Sequence, residues 1–309
     1  MRLMQHKKEA FWFYRYLSIF YDKLVNPLFW TKKMRDDALM IGQLEVPNVQ
    51  VIDVGSGTGF TTEGIVRLVP ATQVTCVDQS PHQMSKAKQK ASLQGCTFKI
   101  GDAENIPFPT DHFDRYVSAG SIEYWPNPQK GITEAYRVIK AGGVATMIGP
   151  LDPPHALGSF IANTWMLFPK DEAYRTWFKQ AGFENIEVKY VAPHWIKYKD
   201  KYCISISGTK PKAGVSPIET TQQIKEAVPE GQKESFGLWR ALQLFGRVVI
   251  GSIAGFIFIP VALFGYLRNS FTSQEHIAPE YRERLNGYQI MALVVTFALL
   301  TALIVSWIN

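Results

Sequence analysis

A strand that runs straight into three closely spaced glycines limits the folds open to this chain more than any other stretch. Residues 49–54 read as a buried strand, and Asp53-Val54-Gly55-Ser56-Gly57-Thr58-Gly59 closes it. An apolar strand without polar alternation belongs in a parallel sheet covered on both faces. Glycine lets the backbone turn tightly and lie close to a ligand. The helix expected over 61–68 offers unpaired N–H groups at its start. Ligands of such sheets bind outside the carboxyl ends of the strands. The spacing is G-x-G-x-G. The dinucleotide fingerprint G-x-G-x-x-G fails, because its third glycine would fall on Phe60.

The alternation continues. Strands are expected at 73–77, 98–100, 113–118 and 144–148. Ser80-Pro81 opens a helix, with the serine as cap and proline in the first turn. A helix over 128–140 stops at Gly142-Gly143, and one over 174–181 ends at Gly182. A late strand pair at 186–191 and 202–209 closes the sheet. The pattern is α/β: a Rossmann-like, doubly wound and mostly parallel sheet. Asp78 ends the second strand, 23 residues after Gly55, where an acid in such folds accepts two ribose hydroxyls. Its plainer reading is a helix cap. Asp102 ends the third strand, and its plainer reading is also a loop cap.

Composition narrows the partners. The 309 residues are 46% apolar with a formal charge of +6. A mild basic excess suits an anionic membrane surface, and no dense Lys/Arg stripe points to nucleic acid. Cys76, Cys96 and Cys203 form no C-x-x-C pair and the histidines no H-x-x-x-H pair, so neither disulfides nor a metal are expected. Neither a secretory signal nor a transit peptide is visible at the start.

Four regions are expected. Residues 1–47 are an aromatic lid or interfacial segment, with nine aromatics between Phe11 and Trp30. Residues 48–212 are the α/β domain, and 213–247 a polar linker. Residues 248–309 are a membrane anchor. Residues 248–267 and 288–308 carry no charge, and each meets the ~20 residues needed to span a bilayer. Pro260 is tolerable in such a helix. Two spans return the C-terminus to the domain's side of the membrane. The alternative is a pair of buried core helices.

The glycine spacing resembles the first motif of class I methyltransferases. Longer stretches resemble one family. These include Lys8-Glu9-Ala10-Phe11-Trp12-Phe13-Tyr14-Arg15, Met34-Arg35-Asp36-Asp37-Ala38-Leu39, Asp78-Gln79-Ser80-Pro81-His82-Gln83, Gly101-Asp102-Ala103-Glu104 and Trp165-Met166-Leu167-Phe168-Pro169-Lys170. Together, over about residues 7–217, they look like the plant-type 2-methyl-6-phytyl-1,4-hydroquinone methyltransferases. The resemblance implies S-adenosylmethionine as cofactor. It implies Gly55, Ser56, Gly57, Gly59, Asp78, Gln79, Asp102, Ala103 and Ser118 as its contacts, with Asp53 in a lesser role. Asp102 would take the adenine amino group, with Glu104 as neighbouring alternative. The implied substrate is a prenylated hydroquinone drawn from the bilayer, in tocopherol or plastoquinone synthesis. The implied location is a plastid inner envelope, catalytic domain stromal, or a bacterial or archaeal membrane. That family has one C-terminal span, where this chain reads as two.

Methylating a hydroquinone ring carbon is far easier from the phenolate, and a free phenol has a pKa of about 10. A base is therefore expected. Glu123 follows the fourth strand and is the first candidate; its plainer reading is a solvent-facing loop residue. His112, His155 and His194 are further candidates. Tyr124 and Trp125 would stack on the acceptor ring or serve as core. Tyr21, in a Tyr21-Asp22 pair, is expected near the cofactor. Competing readings are a methyltransferase for another lipid such as a sterol, and a non-catalytic adaptor that kept the fold. An adaptor would show an eroded glycine loop, and this one is intact.

Overall fold

The computed structural model describes residues 29–165, 167–193, 196, 198–218 and 278–282, with single positions at 267, 287, 290, 291, 294, 295 and 298. Tyr21, His194 and most of both charge-free runs lie outside the described residues. Among the described residues no helix is long and apolar enough to cross a membrane.

Seven strands form one sheet in the order β3-β2-β1-β4-β5-β7-β6. They are β1 Val51–Val54, β2 Val74–Asp78, β3 Thr97–Ile100, β4 Phe113–Ala119, β5 Ile139–Pro150, β6 Glu184–Val191 and β7 Cys203–Thr209. The first five pair in parallel, and β7 lies antiparallel between β5 and β6. The winding direction reverses between β1 and β4, so the carboxyl ends of these two strands flank the crevice where such sheets bind ligands. The expected doubly wound sheet with its closing antiparallel pair is present.

The helices that accompany it among the described residues are α1 Lys32–Leu39, α2 Phe60–Ile65, α3 Pro81–Lys88, α4 Pro128–Val138, α5 Ala156–Trp165 and α6 Asp171–Ala181. Their starts are written locally. Thr31, Ser80 and Asn127 accept hydrogen bonds from the backbone N–H groups of Met34, Gln83 and Lys130, and Pro81 and Pro128 occupy first turns. Gly182 ends α6 with φ +95°. The α4 helix buries Ile132, Ala135, Tyr136 and Val138 against the sheet. Each large apolar side chain so buried contributes roughly 1.5–3 kcal/mol.

One boundary differs from expectation. Gly142-Gly143 does not stop a helix: α4 ends at Val138, and β5 passes through both glycines. The register of β5 shifts between its pairings with Phe113 and Arg115. The bulge is held from β7's end, where Gly142 donates to the Lys210 carbonyl at 2.8 Å and Lys210 donates to the Gly143 carbonyl at 2.9 Å. Glycine is needed at 142, where φ is +77°.

Candidate active site

The site grows from the carboxyl end of β1. Gly55 and Ser56 both donate to the Val77 carbonyl, at 2.8 and 3.1 Å, which folds the loop back over β2. Gly55 has φ +73°, and a Cβ there would lie 2.6 Å from the Ser121 Cβ. Gly57 N–H donates to Asp78 Oδ2 at 2.8 Å, while Ser80 N–H donates to Oδ1 at 2.7 Å. Each Asp78 oxygen thus has one donor and keeps acceptor capacity. Burial pushes the Asp78 pKa up, and these two N–H groups oppose that rise. The Ser56 hydroxyl is buried and has no partner among the described residues.

Asp53 turns away from the cleft. Its Oδ2 accepts from the Thr62 hydroxyl at 2.6 Å, which braces α2 from beneath. Its Oδ1 has no partner among the described residues, and burial pushes the carboxyl up to about 7. This agrees with a supporting role for Asp53. Gln79 is exposed beside Asp78, and Ala103 packs partly against the core. Asp102, expected at the end of the third strand, lies two residues past β3, is half-buried and accepts from Glu104 N–H at 2.9 Å. Glu104 braces the neighbouring loop instead, accepting from Asn127 N–H at 2.8 Å.

Beyond β4 the chain makes a single tight turn, Ile122–Tyr124. Ser118 donates to the Val54 carbonyl at 2.6 Å, so the 2.6 Å contact between Ser118 and Ser121 has Ser121 as donor. These two serines join the glycine loop to the turn that carries Glu123. The Ser118 hydroxyl proton is therefore committed to holding the loop. Glu123 is buried, which removes its solvent-facing reading. Its Oε2 has no partner among the described residues, and burial raises its pKa to about 7, partly offset by its own backbone N–H. Tyr174 and Cys203 lie close by. Burial first, then the Glu123 charge, pushes the ionisation of both upward.

The other candidates are placed differently. His112 is exposed at the start of β4, stacked beside Phe108 with ring centroids 5.7 Å apart. The length of β4 puts it roughly 20 Å from the glycine loop. It sits at the wrong end of the strand to act as base. His155 is exposed after β5. Trp125 packs on Gly131 of α4, so tightly that a Cβ at 131 would lie 2.4 Å from the indole. It is core, not a platform for a ring. Tyr124 is buried in the same turn. Two residues were not anticipated: Ser121, and Gln83, whose amide oxygen would be 2.7 Å from a Cβ on Gly57. The Ser-x-x-Ser spacing after β4 was the only trace of the first. Among the described residues no group of three or more His, Cys, Asp or Glu is placed to hold a metal.

A model of the family described as "Methyltransferase domain" matches residues 52–147, the span from β1 to β5. A chain from the Haloferax volcanii complex of the Trm112 methyltransferase activator with a methyltransferase superposes with a TM-score of 0.52 at 19% identity, covering 67% of this chain and 97% of that one. The fold is that of Rossmann-like methyltransferases, and the protein is a methyltransferase. The 2-methyl-6-phytyl-1,4-hydroquinone methyltransferase of Arabidopsis thaliana, a chloroplastic protein, is 47% identical over 278 residues, 89% of this chain and 80% of that one. A second such enzyme from Oryza sativa subsp. japonica is 48% identical over 87% of this chain and 76% of its own length. A demethylmenaquinone methyltransferase from Chlorobaculum parvum is 30% identical over 45% of this chain and 67% of its own. The chain belongs to the 2-methyl-6-phytyl-1,4-hydroquinone methyltransferase family.

Proposed function

We propose that this protein methylates a ring carbon of a prenylated hydroquinone, of the 2-methyl-6-phytyl or 2-methyl-6-solanesyl type, with S-adenosylmethionine as methyl donor. The observation that carries the reading is the 47% identity to the Arabidopsis enzyme over 89% of the chain, glycine loop and Glu123 turn included. The residues at the carboxyl edge fit the cofactor. Asp78 keeps free acceptor capacity for the ribose hydroxyls, Ser56 has an unpaired hydroxyl in the loop, and Asp102 stands two residues past β3 for the adenine. S-adenosylmethionine, when bound, supplies an electrophilic methyl carbon.

The chain's own residues prepare the acceptor. Glu123 Oε2 is a buried acceptor without a partner among the described residues, on the turn that Ser121 joins to the glycine loop. With a pKa near 7 it takes the hydroquinone O–H proton at neutral pH, which directs electron density to the ring carbon. Once the methyl carbon has bonded to the ring carbon, the proton on that carbon is lost to solvent water, the ring regains aromaticity as a phenolate, and the phenolate takes back the proton held by Glu123. The dry surroundings of Glu123 keep bulk water from competing for the base.

The acceptor's tail calls for a membrane, and the charge-free runs at 248–267 and 288–308 are the proposed attachment. Ile290, Met291, Val294 and Val295 are helical and exposed, on one face by their spacing. The catalytic domain would face the plastid stroma, or the cytoplasm of a prokaryote.

The test is the purified full chain with methyl-labelled cofactor and a panel of acceptors: phytyl and solanesyl hydroquinones, demethylmenaquinol and a sterol. Label in the first two supports the proposal. Label only in demethylmenaquinol or the sterol overturns it, and no transfer at all would favour the adaptor.

A further inference from the structure

A segment from beyond the first charge-free run rests directly on the helix layer of the cofactor half. Pro279–Tyr281 makes one tight turn. The Tyr281 hydroxyl donates to Asp36 Oδ2 on α1 at 3.0 Å, across 245 residues of sequence. The Lys33 ammonium lies 5.7 Å from the centre of the Tyr281 ring. Asp36 is a junction: Arg67 donates to the same oxygen at 2.7 Å, and Arg35 Nε donates to Oδ1 at 2.7 Å.

The line continues to the cofactor loop. The Arg35 side chain is 3% exposed and donates to the Phe60 carbonyl at 3.0 Å, with its guanidinium 4.9 Å from the Phe60 ring centre. Phe60 is the first residue of α2 and directly follows Gly59. Arg67 follows the same helix. Asp36 therefore ties both ends of α2 to α1, and Tyr281 adds the C-terminal segment to that tie.

We propose that residues 278–282 are a docking turn, by which Tyr281 seats the segment between the two charge-free runs on α1, on the same side of the bilayer as the cofactor loop. The contact stands on its own; the statement about sides rests on the membrane attachment proposed above. A single crossing by residues 248–267 would place Tyr281 about 30 Å away, beyond the hydrocarbon core. A 3.0 Å hydrogen bond to Asp36 is incompatible with that arrangement. Two spans with the connecting segment on the far side, as hydropathy suggests, are replaced by a connecting segment that stays with the domain. Glu280 and Arg282 are exposed and then remain in water beside α1.

Two readouts test this on the full chain in bacterial host membranes. The first compares tryptic cleavage after Arg282 in wild type, Tyr281→Phe, Asp36→Asn and the double variant. Docking predicts at least threefold faster cleavage in each single variant and no further gain in the double. Equal rates in all four proteins overturn the docking. The second places a cysteine at Glu280→Cys or, on exposed α6, at Gln180→Cys, and applies a membrane-impermeant maleimide to spheroplasts and to inverted vesicles. Labelling of both in the same preparation supports the shared side, and labelling in opposite preparations overturns it. If the chain fails to sediment with membranes, the attachment is wrong, and the cleavage comparison still decides the contact.

Discussion

The two edges of the sheet treat buried polar groups in opposite ways. At the edge where β4 and β5 begin, Lys210 is completely buried, and its ammonium is fully used. It donates to Asp111 Oδ1 at 2.6 Å, to the Gly214 carbonyl at 2.6 Å and to the Ile139 carbonyl at 2.8 Å. Asp111 Oδ2 takes Gly214 N–H at 2.8 Å, so the pair closes the chain after β7 over the β5 bulge. At the opposite edge Ser56 Oγ and Glu123 Oε2 are buried without a partner among the described residues. An unmade buried hydrogen bond is destabilising by about 1–3 kcal/mol, so such groups persist where another role requires them. Around Lys210 that edge is finished by the chain itself, although Gln73 Oε1 before β2 has no partner among the described residues; the other edge is finished by what binds there.

Substitutions at the two edges should therefore fail in different ways. Glu123→Gln keeps the shape and removes the base. It should lower kcat by about 100- to 10,000-fold with cofactor affinity within twofold, because a proton is taken only on the way to the transition state. The pH profile sharpens this. Glu123 is mostly protonated below about 7, so wild-type activity should climb as pH rises through about 7. That acid limb should be absent from the residual activity of the variant. Stability has the opposite slope. A carboxyl whose pKa is raised on folding contributes stability below its unfolded pKa and loses it as pH rises through the folded one. Melting curves at pH 5 and 8 should show a smaller difference in Glu123→Gln than in wild type.

Lys210→Met is the converse. It leaves Asp111 and the carbonyls without their cation, a loss of about 3–5 kcal/mol for a broken buried pair. The melting temperature should fall by roughly 10 °C. Cofactor affinity of the folded fraction should stay within twofold. A tenfold loss of affinity would mean that the edges are coupled through the sheet, and the contrast would fail.

Asp78→Ala should weaken cofactor binding at least tenfold, since charge-assisted hydrogen bonds to a carboxylate contribute about 1.5–3 kcal/mol. Because Asp78 also holds Gly57 and Ser80, Asp78→Asn is the control that keeps one acceptor for the loop. Both variants should bind more weakly in calorimetry. Loss in the alanine variant alone would assign Asp78 to loop support rather than to the ligand.

What was legible in the sequence was what is local. The turn glycines of the loop and the Ser80 cap of α3 act within a few positions of themselves, so spacing reveals them. The buried state of Glu123 was not legible, since it depends on packing near Tyr174 and Cys203, which are distant in sequence. Gly142-Gly143 misled for the same reason. A glycine pair after a helical pattern reads as a stop, whereas the deciding partner, Lys210, lies 67 residues further on by subtraction of the two numbers. His112 misled by residue type: an imidazole suits proton transfer, but strand direction carries it to the finished edge. The Tyr281–Asp36 contact, spanning 245 residues, leaves no periodic trace at all.

The smallest effect is expected at the joint between loop and turn, and it tests whether the unfinished edge is one unit. Ser121 donates to Ser118, and Ser118 donates to the Val54 carbonyl. Ser121→Ala removes the first bond and leaves the second. The Cβ that packs against Gly55 remains, so the close approach of the turn to the loop is kept. Only an acceptor lone pair on Ser118 is left unpaired, which is a loss of about 1 kcal/mol. Stability should fall by that amount, and cofactor affinity should fall two- to threefold as the loop loosens. Gly55→Ala is the contrasting case: with φ +73° and Ser121 Cβ at 2.6 Å, an added methyl must displace the turn or the loop. A Ser121→Ala loss of affinity beyond tenfold in calorimetry, with melting temperature unchanged, would show that the hydroxyl reaches the ligand rather than the loop. The carboxyl edge would then hold one more group that serves the ligand.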